Sequence, residues 1–179
     1  MRLFVVVGVF FAAIAASVAI LTAGPEPSRT ASALPAGGPA KAERAERADA
    51  KAEVRARYAA YRAAQPAMEA SPAAKRPELV RPFLAEPARS RVLAGLAALD
   101  ASGRRAYGTP ASKVFAIDVT GDRAVLHDCR DERAAGQLEI STGRRLTVGV
   151  ANTHLVVRFA RVGGQWLIIR FELGGEPCR

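Results

Sequence analysis

Metal-binding and redox side chains are scarce in this 179-residue chain, which has two cysteines (Cys129 and Cys178), two histidines (His127 and His154) and one tryptophan. A four-ligand structural zinc site would use every cysteine and histidine, and their spacing matches no zinc-finger pattern, so neither a metal nor another cofactor is expected. Phosphate-cradling glycine loops are missing too. No Gly-x-Gly-x-x-Gly follows a strand-like run, no Walker loop precedes a Lys-Ser/Thr pair, and no Gly-x-Ser-x-Gly elbow occurs. The nucleotide-binding and serine-hydrolase classes are thereby excluded. Lysine is rare, 4 residues against 22 arginines, and with 17 acidic residues the net charge is +9. The arginines are spread along the chain with few interleaved aromatics and no nucleic-acid module, so a nucleic acid is not expected as a partner. The arginine excess, like the 38 alanines, suits a GC-rich coding sequence better than a built basic surface.

What the chain does have begins with a long apolar leader. Leu3 to Ala23 are 21 residues without a charge. At about 1.5 Å per residue a helix of that length reaches about 30 Å, the thickness of the hydrocarbon core, whereas the apolar part of a signal peptide runs about 7 to 15 residues. Residues 3–23 are therefore expected to engage the cytoplasmic membrane, as a retained anchor or as a signal peptide. The small-x-small sequences Ser17-Val18-Ala19 and Ala31-Ser32-Ala33 are the cleavage candidates. Arg2 ahead of the run favours a cytoplasmic N-terminus and an extracytoplasmic remainder. Residues 24–39, with Pro25, Pro27, Pro35, Gly37, Gly38 and Pro39, cannot bury a core and read as a flexible tether.

The globular part is expected over residues 40–179. Glu43/Arg47 and Glu53/Arg57 lie at i,i+4 on an alanine-rich helix whose apolar stripe begins only at Val54, Tyr58 and Tyr61, with Pro66 expected to end it. Five prolines between Pro66 and Pro87 allow one short helical piece within 78–86. A second full helix, Ser90 to Asp100, puts Val92, Leu93, Leu96 and Leu99 on one face. Beyond Pro110 the apolar period becomes two. Lys113 to Val119, with Phe115, Ile117 and Val119 on one side, pairs across Gly121-Asp122 with Arg123 to Asp131. Gln137 to Ile140 and Arg145 to Val150 are weaker strands, and His154 to Arg161 pairs across Gly163-Gly164 with Gln165 to Leu173. The last hairpin is expected to bury Leu155, Val157 and Phe159 with Leu167, Ile169, Phe171 and Leu173. Helices first and antiparallel strands second make an α+β domain, the helices laid on the apolar side of a strongly curved sheet.

An even cysteine count, an extracytoplasmic destination and a cysteine with no packing role near the terminus lead to a Cys129–Cys178 disulfide as the first expectation, ahead of two free thiols or a catalytic cysteine. The leader and tether, the run from Val119 to Cys129 (VTGDRAVLHDC), Gly163 to Ile168 (GGQWLI) and the closing Pro177-Cys178 resemble the extracytoplasmic nuclear-transport-factor-2-like (NTF2-like, cystatin-like, SnoaL-type) proteins of high-GC Gram-positive bacteria. The resemblance covers about residues 45 to 179. It implies a conical fold of helices on a curved sheet and, for most members, no assigned reaction. The same anchored cone also resembles assembly components of secretion and conjugation systems and Mce-associated membrane proteins.

Relatives of this type that are enzymes use carboxylates, tyrosines or histidines inside the cone. The polar candidates here are Tyr107, Asp118, Asp128 and His154, with His127, Tyr58 and Tyr61 beside them. A general acid/base pair needs two such groups on one substrate, and the sequence displays no convergence. The plain expectations are a solvated Asp118, an Asp128 that fixes a loop or pairs with Arg123 or Arg130, histidines at the surface or in hydrogen bonds, and tyrosines in the core. No catalytic residue is assigned. The sequence thus leads to a non-catalytic binding or assembly module, membrane-tethered or secreted at the cell envelope, with a protein partner or a small apolar ligand. Two alternatives stand beside it, a small-molecule enzyme of the isomerase or hydratase kind and a component of a secretion, conjugation or Mce-associated complex.

Overall fold

The structure is a computed structural model that describes residues 38–176 and Cys178. The leader, and the tether except for its last two residues, lie outside the described residues, and no helix among those described is long and apolar enough to cross a membrane. Helix α1 (Pro39–Ala70) starts with Pro39, whose missing N–H costs nothing in the first turn. Residues 39–49 are exposed. Burial begins at Ala50 and continues through Val54, Tyr58, Tyr61 and Met68, a stripe at helical spacing. Pro66 does not end α1, which runs on for four residues to Ala70. An internal proline forfeits one helix bond. Here Met68 is buried to 2 % exposure, and Arg76 holds the far end by donating from Nε to the Ser71 carbonyl (2.9 Å) and from Nη2 to that of Glu69 (3.3 Å). Arg76 is itself buried and pairs with both carboxylate oxygens of Asp100.

A 3₁₀ turn (Ala73–Lys75) and the short α2 (Arg76–Val80) lead to α3 (Ala88–Ala101). Six strands follow or interleave: β1 (Arg104–Tyr107), β2 (Ala111–Thr120), β3 (Arg123–Asp131), β4 (Gly136–Glu139), β5 (Thr153–Val162) and β6 (Gln165–Leu173). The main antiparallel sheet has the order β2-β3-β5-β6, and β1 and β4 form a separate two-stranded ribbon. The outer edge of β6 is engaged at one point, where the Ile168 N–H donates to the Phe83 carbonyl and its own carbonyl accepts from Ala85, both at 2.9 Å. The helices cover one face of this sheet, so the chain is an α+β protein with helices packed on an antiparallel sheet. Their shared core joins Val54, Tyr58, Tyr61, Val80 and Leu84 to Leu126, Val157, Phe159, Trp166 and Ile168.

Two expectations of strand parity fail for one physical reason. The β2–β3 register shifts between Val114 and Ala116, so Val114 packs on the core and Phe115 stands out at 50 % exposure. A second shift between Arg158 and Phe159 reverses β6. Its first half buries Trp166 and Ile168 in place of Leu167 and Ile169, while Phe171 still packs on the core, and Leu173 is exposed. A β-bulge inserts one residue and turns every later side chain to the other face. Residues 145–150 form no strand beyond a single bridge from Arg145 to Leu138, and the ribbon partner of β4 is β1, a strand the sequence does not announce.

Candidate functional site

Asp128 is the deepest polar group. It lies on the core face of β3 with no exposed surface. Tyr58 of α1 donates its hydroxyl to Oδ2 (2.6 Å), and Ser112 of β2 donates to Oδ1 (2.7 Å). Its partners are thus hydroxyls, not Arg123 or Arg130. The Tyr58 phenol is held well above its usual range, first by burial and then by the bond to Asp128. Both carboxylate oxygens being engaged, Asp128 ties α1, β2 and β3 together.

Beside this cluster lie two cavities. The smaller, called the inner cavity for its place against Tyr58, has a volume of about 170 Å³ and is bordered by Tyr58, Tyr61, Val92, Leu155 and Phe171 together with Arg62, Gln65 and Arg130. Tyr61 stacks in tilted geometry on Phe171 and Phe83, with centroids 5.5 and 6.1 Å apart. Burial pushes its hydroxyl up to about 12, with the Glu69 charge adding to the effect. The outer cavity, of about 320 Å³, shares Arg62, Gln65 and Arg130 and opens between the second half of α1, the end of α3, the β1–β4 ribbon and residues 147–149. Arg62, Gln65, Pro66 and Glu69 face it from α1 at the i, i+3, i+4, i+7 spacing of one helix face.

The outer wall depends on close backbone contact. A Cβ on Gly108, which sits at φ +71°, would collide with the Ala134 carbonyl, and one on Gly136 with the carbonyl of Thr147. Without those side chains the three segments meet directly. The Tyr107 hydroxyl donates to the Thr147 carbonyl (3.0 Å), the Gln137 N–H to Thr147 Oγ1 (3.0 Å) and the Gly149 N–H to the Ala135 carbonyl (2.9 Å). Arg145 lies over the Tyr107 ring, 4.7 Å from its centroid. The irregular stretch 145–150 is thus attached by mixed contacts and not by a strand ladder.

The charges of the cavities are unevenly partnered. Arg62 donates to Gln65 Oε1 (2.9 Å) and the Pro110 carbonyl (2.6 Å), both neutral acceptors. Arg130 has Glu132 at 3.3 Å. The Nε of each arginine is buried with no hydrogen-bond partner among the described residues. Burial raises the Glu69 carboxyl above its ordinary range, against the opposing pull of Arg62 and Arg130.

The sequence-nominated residues do not gather at one place. Tyr107 lines the outer cavity, and Asp128 lies behind Tyr58. Asp118 is exposed, on a groove between α1 and β2. His154 is on the opposite face of the sheet, where its Nε2 meets His127 Nδ1 at 3.0 Å, its Nδ1 meets the Glu176 carbonyl at 3.2 Å, and Phe115 covers both rings. On that face too, Cys129 and Cys178 form a disulfide with Cα atoms 5.7 Å apart, tying the C-terminal segment to β3. Such a bond persists in oxidising compartments. Among the described residues no group of three or more His, Cys, Asp or Glu side chains is placed to hold a metal ion. Arg62 and Gln65 carry no mark in the sequence, and Arg130 enters it only as a possible partner of Asp128. Arg62 and Gln65 share a helix face with Tyr58 and Tyr61, but nothing in the spacing distinguishes them from the solvated charges of α1.

No protein-family model matches the sequence, and no curated protein matches it significantly. The site stands on its own geometry.

Proposed function

We propose that this chain is an exported, membrane-tethered or secreted domain of the NTF2-like conical type that acts as a non-catalytic binding module at the cell envelope and holds a small molecule in the two cavities that Arg62 and Arg130 border. The carrying observation is the contrast between two polar groups. Asp128, the candidate acid, has both oxygens satisfied and none exposed. Arg62 and Arg130 border both cavities, and Arg62 is held only by neutral oxygens, so its charge meets no ion pair among the described residues. A buried carboxylate already held by two hydroxyls is not free to pass a proton to a ligand, and cavities bordered by two arginines suit binding. The uncharged leader supports membrane attachment, and the disulfide supports an oxidising, extracytoplasmic setting.

The test is affinity capture of the full chain from solubilised membranes, followed by native mass spectrometry. The expected result is recovery from the membrane or external fraction, disulfide intact, with a bound small molecule that is lost when Thr109→Trp plugs the outer cavity. Recovery from the cytosol with both thiols free, or with no small molecule, refutes the proposal. A co-purifying protein held irrespective of Thr109→Trp, with no small molecule, favours the assembly-component alternative instead.

The isomerase or hydratase alternative has one observation of its own, the Tyr58–Asp128 pair beside the inner cavity. It predicts that a bound ligand exchanges a carbon-bound proton with deuterated water and that Asp128→Asn stops the exchange. Absence of exchange leaves the binding module.

A further inference from the structure

The two cavities differ in charge as well as size. Glu69 and Glu132 both line the outer one, offsetting Arg62 and Arg130, so a ligand confined there gains little from a net charge of either sign. The inner cavity is bordered by the same two arginines and by no carboxylate, and its remaining wall is Tyr58, Tyr61, Val92, Leu155 and Phe171 with Gln65. Asp128 is near but turned into its bonds with Tyr58 and Ser112. A guanidinium carries five N–H donors, and Arg62 uses two of them, both toward neutral oxygens. Paired guanidinium groups with spare donors recognise planar, bidentate anions, carboxylate foremost. An apolar cavity of about 150 Å³ takes a benzene-sized molecule, and the inner cavity measures about 170 Å³.

We propose that the paired cavities bind a small monocarboxylate with an apolar body about the size of a benzene ring, the body filling the inner cavity and the carboxylate seated on Arg62 and Arg130. This rests on the binding-module function proposed above and specifies its ligand class. The apolar body supplies hydrophobic burial among Tyr61, Val92, Leu155 and Phe171, and the arginines, which border both cavities, supply orientation.

The experiment is calorimetric titration of the full-length protein with phenylacetate, acetate and benzylamine, which separate the two demands. Acetate has the charge without the body, and benzylamine has the body with the opposite charge. Phenylacetate is expected to bind at least tenfold more tightly than either. Val92→Phe, which fills the inner cavity, is expected to reduce phenylacetate to the level of acetate. Arg130→Gln is expected to weaken phenylacetate about tenfold and not to weaken benzylamine. The comparison of the three probes on the unaltered protein needs no variant to fold. Equal binding of phenylacetate and acetate, equal binding of phenylacetate and benzylamine, or no binding of phenylacetate overturns the ligand class. If a different molecule is then found bound to the captured protein and is displaced by Thr109→Trp, the binding-module function stands and only the class falls; an empty cavity in both experiments removes both.

Discussion

Replacing Tyr58 by phenylalanine removes one oxygen and leaves the ring, so its effect isolates the hydrogen bond to Asp128. The ring keeps its place among Val54, Tyr61 and Leu126, and the hydrophobic contribution is unchanged. What is lost is a 2.6 Å bond to a carboxylate with no exposed surface, whose Oδ2 is left buried without a partner. A hydrogen bond to a charged group contributes about 1.5–3 kcal/mol, and Tyr58→Phe leaves its buried acceptor unsatisfied. Tyr58→Phe should therefore lower the unfolding free energy by about 2 kcal/mol, with an unchanged urea m-value and a melting temperature roughly 4–8 °C lower for a domain of this size. Ser112→Ala, acting on the other oxygen from a partly exposed position, should cost about 1 kcal/mol. A double-mutant cycle of Tyr58→Phe with Asp128→Ala should return a coupling of at least about 1 kcal/mol. A loss below about 0.5 kcal/mol for Tyr58→Phe, or additivity within that figure, would refute the assignment of Asp128 as the tie between α1 and the sheet.

Alkaline pH probes the same interior. Tyr58 and Tyr61 both hold their protons more firmly in the folded chain than their ordinary value of 10.0, Tyr61 up to about 12. Unfolded tyrosines ionise first as pH rises, so this stabilisation is complete below about pH 10 and is lost above it, by up to about 1.4 kcal/mol per pH unit per group. Urea midpoints at pH 9, 10 and 11 should fall along that curve and flatten in Tyr61→Phe; a midpoint independent of pH up to 11 counts against the burial of both phenols. Reduction of the disulfide, whose cysteines are 49 residues apart, should lower stability by about 4 kcal/mol on the chain-entropy estimate, and a loss under about 1 kcal/mol would mean that the C-terminal segment is held by other contacts. Glu53 accepts from Trp166 Nε1 (3.0 Å) and Arg161 Nη2 (3.1 Å). Glu53→Ala should cost about 1 kcal/mol and shift the emission of the single tryptophan to the red, and an unchanged spectrum contradicts the contact.

The sequence carried the fold class because apolar periodicity survives local irregularity. The 3.6-residue stripe of Val54, Tyr58 and Tyr61 and the alternation in β3 and β5 are set by burial on one face, and burial is what the helix-on-sheet layers require. Where expectation failed, the deciding interaction was distant in sequence. The bulges at Val114/Ala116 and Arg158/Phe159 depend on how neighbouring strands meet, and neither Phe115 nor Ile169 carries a local mark of being turned outward. Helix α1 outlasts Pro66 because Met68 packs on the core and Arg76, from the next segment, supplies donors to its last carbonyls. Strand β1 is not legible in the sequence because Arg104, Arg105 and Tyr107 lack alternation of their own, and it exists by pairing with β4.

The site was hidden by abundance. In a chain with 22 arginines, no single one is conspicuous, and the α1 arginines are outwardly alike at i,i+3 and i,i+4 spacings. What separates Arg62 from Arg47 is its surroundings. Arg47 answers to Glu43 four residues away on an exposed helix face, while Arg62 is aimed at Gln65 and at a carbonyl 48 residues distant. Partner chemistry therefore carries more information than residue identity: an arginine paired with a local carboxylate is solvated decoration, and one held by neutral oxygens beside a cavity keeps its charge for something else. By the same criterion Asp128, the most suggestive carboxylate in the sequence, is spent on structure, since both its oxygens are occupied by hydroxyls from α1 and β2. If the arginines were structural in the same sense, each would be expected to engage a carboxylate fully; Arg62 forms no ion pair among the described residues, and Arg130 meets Glu132 only at 3.3 Å.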